Sequence, residues 1–442
     1  MAKSPRELAY NALLNAERDQ SRSIDEILGD QLAHSSFSTQ EKAWIMELVY
    51  GTTRMRLQLD AWIEATFKGR YRKAQHALKV LLRMGVFQLK FMHTAEHAAI
   101  NETVDLAKAV GQSKTSGLIN AVLRKIQTLS LDQILTSIKD TQGRLAVETS
   151  HPEWLLEKWL DQHSLDEIIA LCEHNNTSPK TWIRRNVQQT DIKQFEGYLK
   201  RLEISFKRSE LLESFYEVDS AAQLLNTPEF YQGWFSFQDI AAGLVANLVD
   251  PQEGETIVDA CSAPGGKMGL LSEQSHGRAN IIACDASSSR LKKVDQTVDR
   301  LKLEQVTVLQ LDASRQLLPE SNKILLDVPC SGTGVLNRRP DARWKRQADD
   351  IDSLTDIQRA ILINAWTSLL PGGTLIYATC TLEPEENWGL IDSTLEHLQN
   401  GEIEVISDEK LKPYIDERGA LATLPWIHGM DGMFAVKIRK TL

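Results

Sequence analysis

Ile324-Leu325-Leu326-Asp327-Val328-Pro329-Cys330-Ser331-Gly332-Thr333-Gly334 (ILLDVPCSGTG) joins an apolar run to an acid, a proline and a thiol. The run is short, continuous and bounded by turn residues, the pattern of a strand buried on both faces. Packing requires neither Asp327 nor Cys330. The carboxyl end of a parallel strand, however, is where open α/β sheets bind ligands. Outward from this stretch, residues 256–260, 280–284, 306–311, 323–328, 374–378 and 433–437 repeat the strand pattern with helical stretches between them. Turn signals at 250–255 (DPQEGE) and 371–373 (PGG) separate elements. From about 236 to 442 the alternation predicts a parallel, doubly wound, Rossmann-like α/β domain.

Two other textures precede it. Residues 1–145 read as an all-α bundle, opened by Ser4-Pro5-Arg6-Glu7 as a capping box with proline at the first helical position. Apolar residues then recur at helical spacing, as in Ile100, Val104 and Ala107 or Ile119, Val122 and Ile126. Residues 146–235 read as a small α+β module: a helical opening (HPEWLLEKWLDQH), a strand over 180–186, a helix near 191–202 and a strand near 215–218.

Five cysteines, odd in number and without a C-x-x-C pair, indicate neither a zinc site nor a disulfide framework, so a reduced, cytoplasmic enzyme without a metal is expected. No apolar run reaches the roughly 20 residues needed to span a bilayer. The net charge of −10 argues against a nucleic-acid partner, but it is unevenly spread. Residues 1–150 hold 20 basic against 16 acidic groups, and nine basic residues fall between 54 and 90. A solvated helical face is the commoner meaning of such a run; a local phosphate-binding patch is the functional one.

The first strand of the α/β region runs into Asp259-Ala260-Cys261-Ser262-Ala263-Pro264-Gly265-Gly266-Lys267. The glycine pair lets the backbone approach a ligand before the next helix begins. The spacing fits neither G-x-G-x-x-G nor a P-loop, because Cys261 stands where the latter needs Gly and Met268 where it needs Ser or Thr. Two glycines alone are also what an ordinary strand-to-helix turn contains. The other strand ends weigh against that reading. Asp285 follows the second strand, where an acid can accept from both hydroxyls of a ribose. Asp312 follows the third, within reach of an adenine amino group, and Asp327 closes the fourth. Together they predict a nucleoside cofactor with no phosphates to hold, and S-adenosyl-L-methionine fits. The cofactor set is then Cys261, Ser262, Ala263, Pro264, Gly265, Gly266, Lys267, Asp285, Asp312 and Asp327.

Cys330 follows the fourth strand and Cys380, in Tyr377-Ala378-Thr379-Cys380-Thr381, follows the fifth. A single cysteine is ordinarily a small buried hydrophobe. Two just beyond adjacent strand ends sit in loops, and a thiol is a strong nucleophile even when sparsely ionised. Beside a methyl donor, such a group suits attack on a ring carbon too unreactive to be alkylated directly. The local sequence does not say which thiol attacks.

CSAPGGK, DVPCSGTG, RRPDARW, YATCTLEPEEN and DGMFAVKI, in this order, resemble the motifs of the cytosine-C5 RNA methyltransferases of the Sun (Fmu) type. The first region resembles the NusB fold through LVYGTTR, LLRMGVFQL, AINETVDLAK and LINAVLRK. Ser262 and Met268 depart from the usual Ala and Thr, and Thr381 from a common Ser. The resemblance covers nearly the whole chain. It implies a NusB-like RNA-binding domain (1–145), a linking module (146–235) and a catalytic domain (236–442). It also implies methylation of C5 of a cytosine in 16S ribosomal RNA, in an unassembled or partly assembled small subunit, by a monomer. Within the catalytic set Cys380, Cys330 and Asp327, it makes Cys380 the nucleophile at C6, has Asp327 hydrogen-bond the base near N3, and gives Cys330 the release step. The glutamates 383, 385 and 386 near Cys380 would oppose its ionisation, and a helix starting near Pro384 would favour it. Rival readings are a transfer-RNA cytosine methyltransferase, a NusB-like RNA-binding factor without catalysis, and a NAD-dependent oxidoreductase, which the missing dinucleotide fingerprint disfavours.

Overall fold

The computed structural model describes residues 4–225 and 227–442, and the chain divides into two compact units. One holds the residues up to Ser178 together with Leu336–Arg346; the other holds Pro179–Val335 and Gln347–Leu442.

The first unit is helical. Its opening helix, Pro5–Arg18, starts as its sequence predicts: the Ser4 hydroxyl accepts from the Glu7 amide and proline fills the first turn. The helix His76–Lys90 is buried all round from Val80 to Gln88, as expected of a helix at the centre of a bundle. It touches Thr39–Arg54 so closely that a Cβ on Gly51 would lie 1.9 Å from the Phe87 ring. The helical texture also continues beyond 145, through Glu153–Leu160 and Leu165–Asn176, and both helices belong to this unit.

The insertion Leu336–Arg346 carries the RRPDARW motif into the helical unit. Asp341 accepts from the amide of Ile24 at 3.0 Å, a carboxylate at the start of the helix Ile24–Ala33. The Trp344 indole donates to the Thr53 carbonyl at 2.6 Å, and Arg54 donates to the Asn337 carbonyl at 3.1 Å. Arg343, only 1% exposed, donates to the Ser150, Asn175 and Leu336 carbonyls and to Asn176 Oδ1. These bonds satisfy buried carbonyls at two helix ends, which would otherwise cost about 1–3 kcal/mol each. The segment that begins directly after the Cys330 loop is thus a structural part of the helical unit.

The second unit contains two sheets. Strands β1 (Thr181–Arg185), β2 (Phe206–Arg208), β3 (Phe215–Val218) and β4 (Phe235–Phe237) form an antiparallel sheet in the order β2-β3-β1-β4. The helix Ile192–Arg201 covers it through Phe195, Tyr198 and Leu199. β2 and β4 are three residues each, too short for period-2 patterning to be read from sequence.

The larger sheet comprises β5 (Thr256–Asp259), β6 (Asn280–Asp285), β7 (Val306–Gln310), β8 (Ser321–Asp327), β9 (Leu369–Thr379), β10 (Gly401–Glu404), β11 (Leu421–Ala422) and β12 (Phe434–Lys440). The order is β10-β12-β9-β8-β5-β6-β7, with β11 paired to β12. Alternate residues of each strand enter different cores. Ile257, Leu325, Ile376 and Ala378 face one side; Val258, Ile324, Leu326 and Tyr377 face the other. Apolar residues on both faces explain the continuous runs.

Two expectations are corrected. The sheet is mixed rather than all parallel, because β12 runs antiparallel to β9 and to β10. A parallel β12 would need a helical crossover. Between β10 and β12 the chain holds only a three-residue 3₁₀ turn, β11 and a four-residue helix. The Pro371-Gly372-Gly373 signal, expected to separate elements, lies inside β9. There the pairing with β8 jumps from Ser321↔Leu369 to Lys323↔Thr374, an irregularity that absorbs the turn. Gly372 has φ +78°, and a Cβ on Gly373 would lie 2.6 Å from the Asn322 carbonyl.

Candidate active site

Strand order reverses between β5 and β8, so their carboxyl ends open the crevice where such sheets hold ligands. The turn Cys261–Lys267 leaves β5 there. Ser262 donates its amide to the Cys284 carbonyl at the end of β6, and Gly265 donates to the Ser262 carbonyl. Gly265 has φ +99°, and a Cβ on it would press on Met268 and Thr297 at 3.1 and 3.3 Å. Gly266 then starts the helix Gly266–Gln274.

The acids expected at the strand ends occupy different environments. Asp285 is buried, with Oδ1 accepting from the Ser287 amide at 2.9 Å. Its Oδ2 has no hydrogen-bond partner and faces the Arg290 guanidinium at 3.3 Å. Asp312, at the end of β7, accepts from the amide and hydroxyl of Ser314. Asp327 accepts from the Lys267 ammonium at 2.6 Å. Burial alone would lower the Lys267 pKa, but the charges of Asp327 and Cys380 hold it above its ordinary value. Lys267 therefore turns towards Asp327 at the end of β8.

Asp259 went unnoticed in the sequence, as the last residue of an apolar strand. It is buried, with the Ser262 hydroxyl and the Cys261 amide of the turn beside its carboxylate. Burial and the nearby Asp327 push its pKa up to about 7. The buried Asp285 Oδ2 without a hydrogen-bond partner, beside a glycine turn, is an acceptor suited to a phosphate-free nucleoside such as S-adenosylmethionine.

The two cysteines meet. Cys330 Sγ and Cys380 Sγ are 3.2 Å apart, and the Cys380 amide donates to Cys330 Sγ at 3.3 Å. The side-chain hydrogen bond in which the Cys330 thiol donates to Cys380, together with burial, drives the Cys330 thiol well above its ordinary range, although the Cys380 amide opposes this. The two loops are interlocked. Gly334 donates to the Cys380 carbonyl at 3.0 Å, and Gly432 donates to the Gly334 carbonyl at 2.8 Å. A Cβ on Gly334 would lie 2.3 Å from the Gly432 carbonyl, so the DVPCSGTG and DGMF motifs need glycine where they touch.

Glu386 does not act as a bare negative charge beside Cys380. It is fully buried and accepts from the Ser331 amide (2.8 Å), the Ser331 hydroxyl and Gln358 (2.8 Å), bracing the Cys330 loop. The helical start expected near Pro384 is a 3₁₀ turn (Pro384–Glu386) followed by the helix Trp388–Leu395. No residue near Glu386 in sequence announces its contact with Ser331, 55 positions away.

The nine basic residues between 54 and 90 do not share one face. Arg54 is buried against Asn337, and Arg83 is buried against Asp60 and Glu17. Lys68, Arg70, Arg72 and Lys73 are exposed in the connection before the helix His76–Lys90, with Arg72 also paired to Glu64 at 3.1 Å. Among the described residues, no helix is long and apolar enough to cross a membrane.

Comparison with known proteins finds three family matches along the chain. Residues 246–439 match the family model 16S rRNA methyltransferase RsmB/F, residues 3–128 the NusB family, and residues 151–223 an RsmF/B-like ferredoxin-like domain. The chain is 31% identical over 446 residues to a probable ribosomal RNA small subunit methyltransferase B of Bacillus subtilis, covering 99% of each. It is 34% identical over 416 residues to the ribosomal RNA small subunit methyltransferase B of Vibrio vulnificus, covering 91% of this chain and 92% of that one. The crystal structure of PH0851 shares the fold over 100% of both chains, with a TM-score of 0.85 at 22% identity. A methyltransferase homologue from Pyrococcus horikoshii matches over 69% of this chain and 100% of that one, with a TM-score of 0.59 at 25% identity. Matched along its whole length by these relatives, the chain belongs to the RsmB/F family of 16S rRNA methyltransferases.

Proposed function

We propose that this protein methylates C5 of one cytosine in 16S ribosomal RNA, presented in an unassembled or partly assembled small subunit. It acts as a monomer in the cytoplasm. The helical region 1–145 holds the RNA, residues 146–235 link, and 236–442 catalyse. The observation that carries this reading is the pair of thiols 3.2 Å apart at the ends of β8 and β9. S-adenosylmethionine, when bound, supplies a methyl group on a sulfonium centre. The residues proposed to hold it are Cys261 to Lys267 around the turn, with Asp285 at the ribose, Asp312 at the adenine and Asp327 at the rim.

C5 of cytosine is a poor nucleophile, and Cys380 remedies this by adding to C6. Asp327, oriented by Lys267, is placed at N3; in its protonated form it donates to N3 and passes that proton to the ring as Cys380 adds, neutralising the charge pushed there. The enamine-like C5 then takes the methyl group. Removal of the C5 proton restores the double bond and expels Cys380. Cys330 is assigned this step by its position, 3.2 Å from the Cys380 sulfur that is expelled; it must be in its ionised form when it takes the C5 proton. The cytosine must be unpaired or extruded to reach the two sulfurs.

The two roles separate on a denaturing gel. Cys380→Ala is expected to be inactive and to form no denaturation-resistant RNA complex. Cys330→Ala is expected to accumulate one, dependent on S-adenosylmethionine. A trapped complex with Cys380→Ala instead would reverse the assignment. Sequencing the modified position in 16S rRNA from cells lacking the protein tests the substrate.

A further inference from the structure

We propose that Arg184, on β1 of the small sheet, is a positioning residue for the cofactor turn, acting through the carbonyl of Gly266. This rests on the reading of residues 261–267 as the S-adenosylmethionine loop.

Strand alternation sends Arg184 away from its own domain's core. Ile183 packs with Phe195 and Tyr216, whereas Trp182, two residues from Arg184 and on the same face, packs against the core of the larger sheet. Arg184 itself is 0% exposed. Its Nε and Nη2 donate to the two oxygens of Glu273 at 2.9 and 2.7 Å, a fork-to-fork pair. Its Nη1 donates to the Gly266 carbonyl at 2.8 Å and to Gln238 Oε1. Glu273 lies near the end of the helix that Gly266 begins, so one guanidinium grips both ends of Gly266–Gln274. The fit is tight: a Cβ on Gly269 would lie 3.1 Å from Arg184 Nη2 and 3.0 Å from Leu301.

Stability does not require a charge pair here. Desolvating two charges commonly cancels their attraction, and apolar residues of similar volume are often as stable or more so. An apolar pair would, however, leave the Gly266 carbonyl without its second hydrogen bond and the turn free to tilt. Lys267 follows Gly266 directly and reaches Asp327 at the catalytic rim. A shift at Gly266 is therefore passed directly to its neighbour in the cofactor turn, Lys267. The small sheet thus does more than link two domains: it holds the cofactor turn from behind.

The test uses the full-length protein with Arg184→Lys, which keeps the charge and loses the fork, and Glu273→Gln, which keeps the shape and frees the guanidinium. Circular dichroism and thermal melting establish which variants are folded. For folded variants, KM for S-adenosylmethionine and Kd for S-adenosylhomocysteine should rise about tenfold, the scale of one charge-assisted hydrogen bond. KM for the RNA should not change. A folded variant with parental cofactor affinity, or one losing only kcat in proportion to unfolded material, would overturn the proposal. If the parent itself binds neither ligand, the cofactor reading fails instead. Should Arg184→Lys not fold, Glu273→Gln decides by the same two constants.

Discussion

Replacing Asp285 by alanine removes a buried carboxylate whose two oxygens are not equivalent. Oδ1 is already taken by the Ser287 amide, whereas Oδ2 has no hydrogen-bond partner and only the half-exposed Arg290 near it. A ribose hydroxyl donating to Oδ2 therefore forms a new bond to a charged acceptor, while one donating to Oδ1 shares an occupied atom. Counting one full bond, the loss is about 1.5–3 kcal/mol, roughly a 10- to 150-fold rise in Kd. Arg290 should add little, since water solvates it once Asp285 is gone. Calorimetry with both S-adenosylmethionine and S-adenosylhomocysteine, without RNA, separates two explanations. A ribose contact is common to both ligands and predicts equal losses. A contact through the sulfonium charge predicts a loss for S-adenosylmethionine alone. If Asp285→Ala binds both within about twofold of the parent, the ribose assignment is wrong.

Two further predictions concern pH and salt. Asp259 has its folded pKa raised to about 7 against roughly 3.9 unfolded, so the folded state binds the extra proton between these values. Stability of the cofactor-free protein should therefore be greatest at the low end of that window and fall as pH rises through 7, by at most about 4 kcal/mol. Asp259→Asn should flatten the fall in denaturant titrations at pH 5 and 7.5; identical slopes would show that Asp259 is not the cause. Neutralising Lys68, Arg70 and Lys73 together should reduce the salt dependence of RNA binding by about 0.7 per lost phosphate contact on single strands, and about 0.9 on duplex. Parental slopes would leave these residues as a solvated turn.

What could be read from the amino-acid sequence was whatever depends on near neighbours. Apolar runs of strand length ending in Asp285 and Asp327 state that these side chains lie at strand ends, because burial on both faces leaves the run no polar position until it emerges. The helical bundle, the glycine turn and the family motifs are local in the same sense. Long-range decisions belonged to the fold. The antiparallel entry of β12 depends on a connection lacking a crossover helix, and the PGG turn is absorbed into β9 because β8 pairs on both sides of it. RRPDARW, read as a catalytic-domain motif, docks into the helical unit through bonds spanning up to 317 positions. Lys267 meets Asp327, Cys330 meets Cys380, Ser331 meets Glu386 and Arg184 meets Gly266 across separations of 50 to 82 residues. Periodicity states which way a side chain points from its own element. Only the packing of those elements states what it meets there, and at this site that meeting sets two cysteine sulfurs 3.2 Å apart.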